Sequence, residues 1–137
     1  PAGKTCSTPT SNIDFYPTFL DTAGITPSAK QKLDGRSILA HLKEPGDIAR
    51  TTPLFWHYPL ARPHFLGGHS GGAIRKGPWK LIEWFDTKKV ELFNLQDDPS
   101  EKNNLFAQQQ QTAGGLLAEL RAWRKKLGAK TTVEKKN

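Results

Sequence analysis

From residue 73 to residue 95, apolar and polar positions alternate with the period of two that marks β-strands. Residues 73–76 read as a strand, Gly77-Pro78 as a turn and 79–85 as a second strand. A short hairpin loop over 86–89 leads to a third strand over 90–95. On 79–85, Trp79, Leu81 and Phe85 point one way, and Ile82 and Trp84 the other. On 90–95, Val90 and Leu92 oppose Phe93 and Leu95. Both faces of this meander are apolar, so both call for a cover.

One cover lies downstream. Leu116, Leu120, Trp123 and Leu127 follow one another at helical spacing, and Gly128 closes the run. This predicts a helix near 113–127 laid across the sheet. Upstream, 11–25 reads as a short helix: Ser11 or Asn12 can cap it, Pro17 suits its first turn and Gly24 suits its end. In 33–47, Asp34-Gly35 makes a turn before one amphipathic helical segment, which Pro45-Gly46 stops. Residues 51–59 form a strand bounded by prolines, and 61–72 a loop with four glycines. The expected fold class is α+β: an antiparallel sheet of about four strands packed by a C-terminal helix, preceded by two short helices. The second face of the sheet is left to the helices within 11–42 or to material outside the chain.

Composition sharpens this picture in three places. Four Trp and seven Phe in 137 residues exclude a disordered chain, and no apolar run approaches the ~20 residues of a membrane span. Cys6 is the only cysteine, so no disulfide can form within the chain. The net charge of +7 is concentrated: residues 121–137 carry +6, and the preceding 120 residues only +1. A basic terminus can neutralise phosphates, but no aromatic or glycine motif of a nucleic-acid module accompanies it, and cations also suit a helix C-terminus. Nucleic acid is not an expected partner.

The stretch "LFNLQDDPSEKNNL" offers clustered oxygens that a hard cation would accept, from Asp97, Asp98 and Glu101. The same residues have the chemistry of a turn into a helix. Aspartate accepts from backbone N–H groups, Pro99 pre-sets φ, and Glu101 suits a first turn. Asn103 and Asn104 would end that turn and let Leu105 pack on the core. The turn is the preferred reading, and no second ligand cluster accompanies the first. The glycines of 67–72 do not make a phosphate loop, because the spacing of G-x-x-x-x-G-K-[ST] is absent.

Five segments occur in order: "NIDFYPTFLDTAGI", "LDGRSILAHL", "LFWHYP", "GGAIRKGPWKLIEW" and "ELFNLQDDPSEKNNL". Together, from about Ser11 to Leu127, they resemble the C-terminal part of the formylglycine-dependent type I sulfatases, the arylsulfatase family of the alkaline-phosphatase superfamily. In that family Asp98, Pro99, Glu101, Asn104 and Leu105 would belong to a structural turn after the last hairpin. The resemblance implies a parent enzyme that hydrolyses sulfate esters, with sulfated carbohydrates or aryl sulfates as substrates and calcium and formylglycine as cofactors. It implies that an N-terminal catalytic domain supplies both, and a periplasmic or secreted location. This chain carries no catalytic or metal residue in that reading. Cys6 is a poor formylglycine precursor, since "CSTPT" places Thr8 and Thr10 where C-x-[PA]-x-R needs Pro or Ala and Arg.

The resemblance implies a small subdomain whose loops shape the substrate pocket. The candidates are His57, Tyr58, Arg62, His64 and His69, on the strand end and the glycine-rich loop. Histidine and arginine can bond sugar hydroxyls or a second sulfate, and aromatics can stack on a sugar face. Trp56 and Tyr58 also fit an ordinary core, and each histidine an ordinary loop. The expected domains are 1–50, the end of a large α/β domain; 51–127, the C-terminal subdomain; and 128–137, a basic tail. The alternative function is a non-catalytic binding module whose tail contacts a polyanion.

Overall fold

The computed structural model describes residues 2–44, 50–60 and 68–131. They fall into two compact units, Pro1–Arg50 and Thr51–Asn137.

In the first unit a 3₁₀ turn, Asn12–Asp14, leads into helix α1, Phe15–Thr22. Asp14 is fully buried and is the hub of this unit. Its carboxylate accepts from the Ser11 N–H at 2.8 Å, the Arg36 N–H at 3.0 Å and the Arg50 guanidinium at 2.7 and 3.2 Å. Burial alone would raise its pKa. The hydrogen bonds from Arg50 and the two backbone N–H groups outweigh this and hold the carboxyl below its ordinary value. Pro17 occupies the first turn of α1, where its missing N–H is harmless. Gly24 ends the helix at φ 67°, with the Ile25 N–H on the Leu20 carbonyl and the Gly24 N–H on that of Asp21.

The helix expected after Asp34-Gly35 is shorter than its pattern: α2 is Leu39–Lys43. The reason is tertiary. Residues 35–38 lie against the start of α1, with the Ile38 N–H on the Thr18 hydroxyl at 3.0 Å. A Cβ on Gly35 would stand 2.0 Å from the Ile13 carbonyl oxygen, so only glycine allows this approach. The proposed stop at Pro45-Gly46 lies outside the described residues.

The second unit is a four-stranded antiparallel sheet in chain order, with β1 Leu54–Tyr58, β2 Gly71–Lys76, β3 Trp79–Trp84 and β4 Val90–Asn94. Helix α3, Gln110–Leu127, follows. The register aligns Ile74 with Leu81 and Leu81 with Leu92. These three are fully buried and form one core cluster with Ala113, Leu116 and Leu120 of α3. Each buried Leu or Ile contributes roughly 1.5–3 kcal/mol relative to exposure. Phe55 stacks on Trp123 at 4.8 Å on the same side. The fold is therefore α+β, with a sheet and a C-terminal helix, as the alternation and the helical stripe predict. Helix α3 starts three residues before the helix predicted near 113–127. It ends at Gly128, φ 63°, with the Ala129 N–H on the Arg124 carbonyl.

The acidic stretch after β4 is a turn and not a helix. Glu101 takes a left-handed φ of 55°, which stops helical continuation. The Asn104 side chain accepts the Leu92 N–H at 3.1 Å, and the Leu105 N–H donates to the Leu92 carbonyl at 2.7 Å. The turn thus closes the outer edge of β4, and Leu105 packs on the core.

Candidate functional site

Alternation along the strands sorts the second unit into two faces. Phe55 and His57 lie on the helix side of β1, whereas Trp56 and Tyr58 lie on the open side. Register places Trp56 beside Ala73 and Tyr58 beside Gly71, then Ala73 beside Ile82 and Gly71 beside Trp84. Small residues on β2 thus form a floor between two walls: Trp56 and Tyr58 on one, Ile82 and Trp84 on the other. The result is an open groove of about 570 Å³. Trp56 is 43% and Tyr58 53% exposed, so neither is a core residue of this unit.

The floor depends on having no side chain at Gly71. A Cβ there would meet Trp84 Cε3 at 3.0 Å. Trp84 is held by its indole N–H, which donates to Glu91 at 2.8 Å. At one end of the groove Lys80 pairs with Glu101 at 2.6 Å, and the buried Nε of Arg75 has no hydrogen-bond partner among the described residues. At the other end stands His69. Its Nδ1 meets Asp86 Oδ2 at 2.6 Å, and its ring sits edge-on to Trp84 at 5.7 Å. The hydrogen bond with His69, aided by the Thr87 N–H, holds the Asp86 carboxyl below its ordinary value.

Of the residues singled out from sequence, Tyr58 and His69 line this groove together. His57 does not. It faces the helix side, with Nε2 donating to the Lys130 carbonyl at 2.8 Å and its ring 5.4 Å from Phe85. Arg62 and His64 lie outside the described residues. Sequence reasoning did not single out Arg75, Asp86 or Trp84 as site residues. Trp84 was within reach, since the alternation already set it on the face opposite Leu81. Asp86 was not, because it is seventeen residues from His69, beyond the β2–β3 hairpin.

On the helix side Glu83 accepts from Arg121 at 2.6 Å and from Arg124 at 2.5 Å. Arg124 also lies over the Phe85 ring at 4.8 Å. Two cations of the basic C-terminal segment are thus engaged by the fold. Residues 132–137 of the tail lie outside the described residues.

The carboxylates of the acidic turn have structural partners. Asp97 accepts from the Asn94 side chain at 2.6 Å, Asp98 from the Asn103 N–H at 2.8 Å, and Glu101 holds Lys80. The Asn103 N–H is the main cause of the lowered Asp98 pKa. Among the described residues no group of three or more His, Cys, Asp or Glu could hold a metal ion. No described helix is long and apolar enough to cross a membrane.

The fold and groove define an α+β sheet-and-helix module with an aromatic-walled open face. Residues 1–127 match the family described as N-sulphoglucosamine sulphohydrolase, C-terminal, and the chain belongs to that family. It is 35% identical over 140 residues to a sulfatase of Formosa agariphila, covering 91% of this chain and 25% of that protein. It is 36% identical over 108 residues to an N-acetylglucosamine-6-O-sulfatase of Bacteroides thetaiotaomicron, covering 77% of this chain and 19% of the relative. Among solved structures it resembles BT4656 in complex with its substrate D-glucosamine-2-N,6-O-disulfate. That match has a TM-score of 0.74 and 30% identity, over 90% of this chain and 26% of the other. The chain spans about a quarter of the length of these relatives.

Proposed function

We propose that this chain is the C-terminal part of a sulfatase that hydrolyses sulfate esters of a carbohydrate. In this reading it contributes a wall of the substrate pocket and not the catalytic core. The observation that carries the reading is the family match across residues 1–127, beside the 36% identity to an N-acetylglucosamine-6-O-sulfatase. The groove supports the division of labour. Tyr58 and Trp56 offer flat apolar faces for a pyranose ring, and His69 offers a polar atom at its mouth. Arg62 and His64 stand between Tyr58 and His69 in the sequence and are proposed for the same wall. His57 anchors the chain after α3 instead.

Calcium and formylglycine, which the resemblance implies, do not fit the residues of this chain. Asp97, Asp98 and Glu101 are committed to a turn and an ion pair, and Cys6 lacks the neighbours of a formylglycine precursor. No catalytic step is therefore assigned here. In this reading a preceding domain supplies the nucleophile and the cation, and this chain selects the alcohol portion of the ester. The test is hydrolysis by the full-length polypeptide that contains the chain. N-acetylglucosamine 6-sulfate and a chromogenic aryl sulfate are the probes. Release of sulfate from the sugar supports the reading, and release from neither probe overturns it.

A further inference from the structure

His69 carries chemistry beyond a general place in the wall. Its Nδ1 is 2.6 Å from Asp86 Oδ2, and a carboxylate there fixes the tautomer that bears hydrogen on Nδ1. The edge of the imidazole against Trp84 fixes the plane of the ring. Asp86 is itself held, since its other oxygen, Oδ1, accepts the Thr87 N–H at 2.8 Å. Backbone pairing fixes the spacing of the two residues, because the Phe85 N–H donates to the Ser70 carbonyl at 2.7 Å. Nε2 is then the ring atom left for a ligand, on a side chain that is 57% exposed and lines the groove.

We propose that Asp86 is a positioning residue that presents His69 Nε2 at the groove mouth as an acceptor for a hydroxyl of a bound sugar ring. The pair determines specificity for the sugar and takes no part in cleaving the ester. Three features favour a hydroxyl over an anionic group. The neighbouring carboxylate offsets any charge on the imidazole. With hydrogen on Nδ1 facing Asp86, Nε2 is the acceptor of the ring. The groove beside it has aromatic walls of the kind a pyranose face covers. The inference rests on the sulfatase reading but concerns a separate property of it, namely discrimination between alcohols.

The test compares full-length wild type with Asp86→Asn, His69→Ala, His69→Gln and the double variant Asp86→Asn/His69→Ala. The substrates are N-acetylglucosamine 6-sulfate and a small aryl sulfate. Asp86→Asn is expected to raise KM for the sugar sulfate roughly tenfold, the worth of about one hydrogen bond, with kcat changed by less than about twofold. Kinetics on the aryl sulfate should stay as in wild type. His69→Ala should match Asp86→Asn, and the double variant should lose no more than either, since the two act as one unit. His69→Gln, which keeps an acceptor near the position of Nε2, should recover part of the loss. Equal losses on both substrates would reduce the pair to a structural staple and overturn the proposal. An unchanged KM in Asp86→Asn would also overturn it while leaving the sulfatase reading intact, and cleavage of the aryl sulfate alone by wild type would overturn it together with the carbohydrate part of that reading. Hydrolysis of neither probe by wild type removes the sulfatase reading itself, and this inference with it.

Discussion

Arg124 of α3 donates to Glu83 of β3 at 2.5 Å, and neither side chain is more than 12% exposed. This pair ties the terminal helix to the centre of the sheet. Register sets Gly72 beside Glu83 on the neighbouring strand, and a Cβ on Gly72 would stand 3.2 Å from Arg124 Nη1. The guanidinium thus occupies space that a larger residue on β2 would contest.

Removing one partner should cost more than the pair is worth, because the other charge is left with less compensation. Arg124→Ala is expected to destabilise the second unit by about 3 kcal/mol, with Arg121, which is more exposed, still holding Glu83. Urea unfolding measures this. A change under about 0.5 kcal/mol would place the pair among ordinary surface contacts.

The same pair makes stability depend on acid. Burial works to raise the Glu83 pKa, but hydrogen bonds from Arg121 and Arg124 and their charges lower it overall. A carboxyl depressed in the folded state contributes fully above the ordinary glutamate range, and its contribution is lost as pH falls through the depressed value. Glu83→Gln should therefore be less stable than wild type at neutral pH, and its stability should fall less steeply below pH ~4. Parallel acid limbs in the two proteins would show that Glu83 does not couple to folding.

Gly35 should not tolerate alanine. The added methyl would meet the Ile13 carbonyl carbon at 2.4 Å as well as its oxygen, and both are backbone atoms. The first unit must then shift, at about 1–3 kcal/mol. Hydrogen exchange at the Arg36 amide, which donates to Asp14, is the local readout. Wild-type protection in Gly35→Ala would contradict the close approach.

Asp98→Ala should remove the acceptor for the Asn103 N–H and loosen the turn that closes β4. It should leave calcium affinity of the full-length polypeptide unchanged. Titration calorimetry with calcium decides the matter, and a lost site would return the acidic stretch to the metal reading.

The 137-residue chain by itself should show no sulfatase activity. Sulfate-ester hydrolysis needs an activated nucleophile, positive charge on the sulfate oxygens and an acid for the leaving alkoxide. Incubation with calcium and a chromogenic aryl sulfate is the assay. Turnover above the buffer blank that survives Cys6→Ala would place a catalytic centre within these residues.

Local chemistry was enough for much of this protein. The period of two set which residues of β3 and β4 share a face, because side chains on a pleated strand must alternate. The spacing of Leu116 and Leu120 marked the helix face that covers Leu81. Gly24 and Gly128 marked helix ends, since each takes a left-handed φ that other residues adopt at a cost. Asp98 reads as a turn residue because its carboxylate bonds backbone five residues on. What sequence could not settle depended on contacts distant along the chain. The short length of α2 follows from Gly35 and Arg36 meeting Ile13 and Asp14. His57 and His69 looked alike as residues flanking one loop. Strand parity and register put the first against the helix side, on Lys130, and the second at the groove, on Asp86. A side chain's type states which bonds it can make, and only the tertiary fold brings the partner within reach.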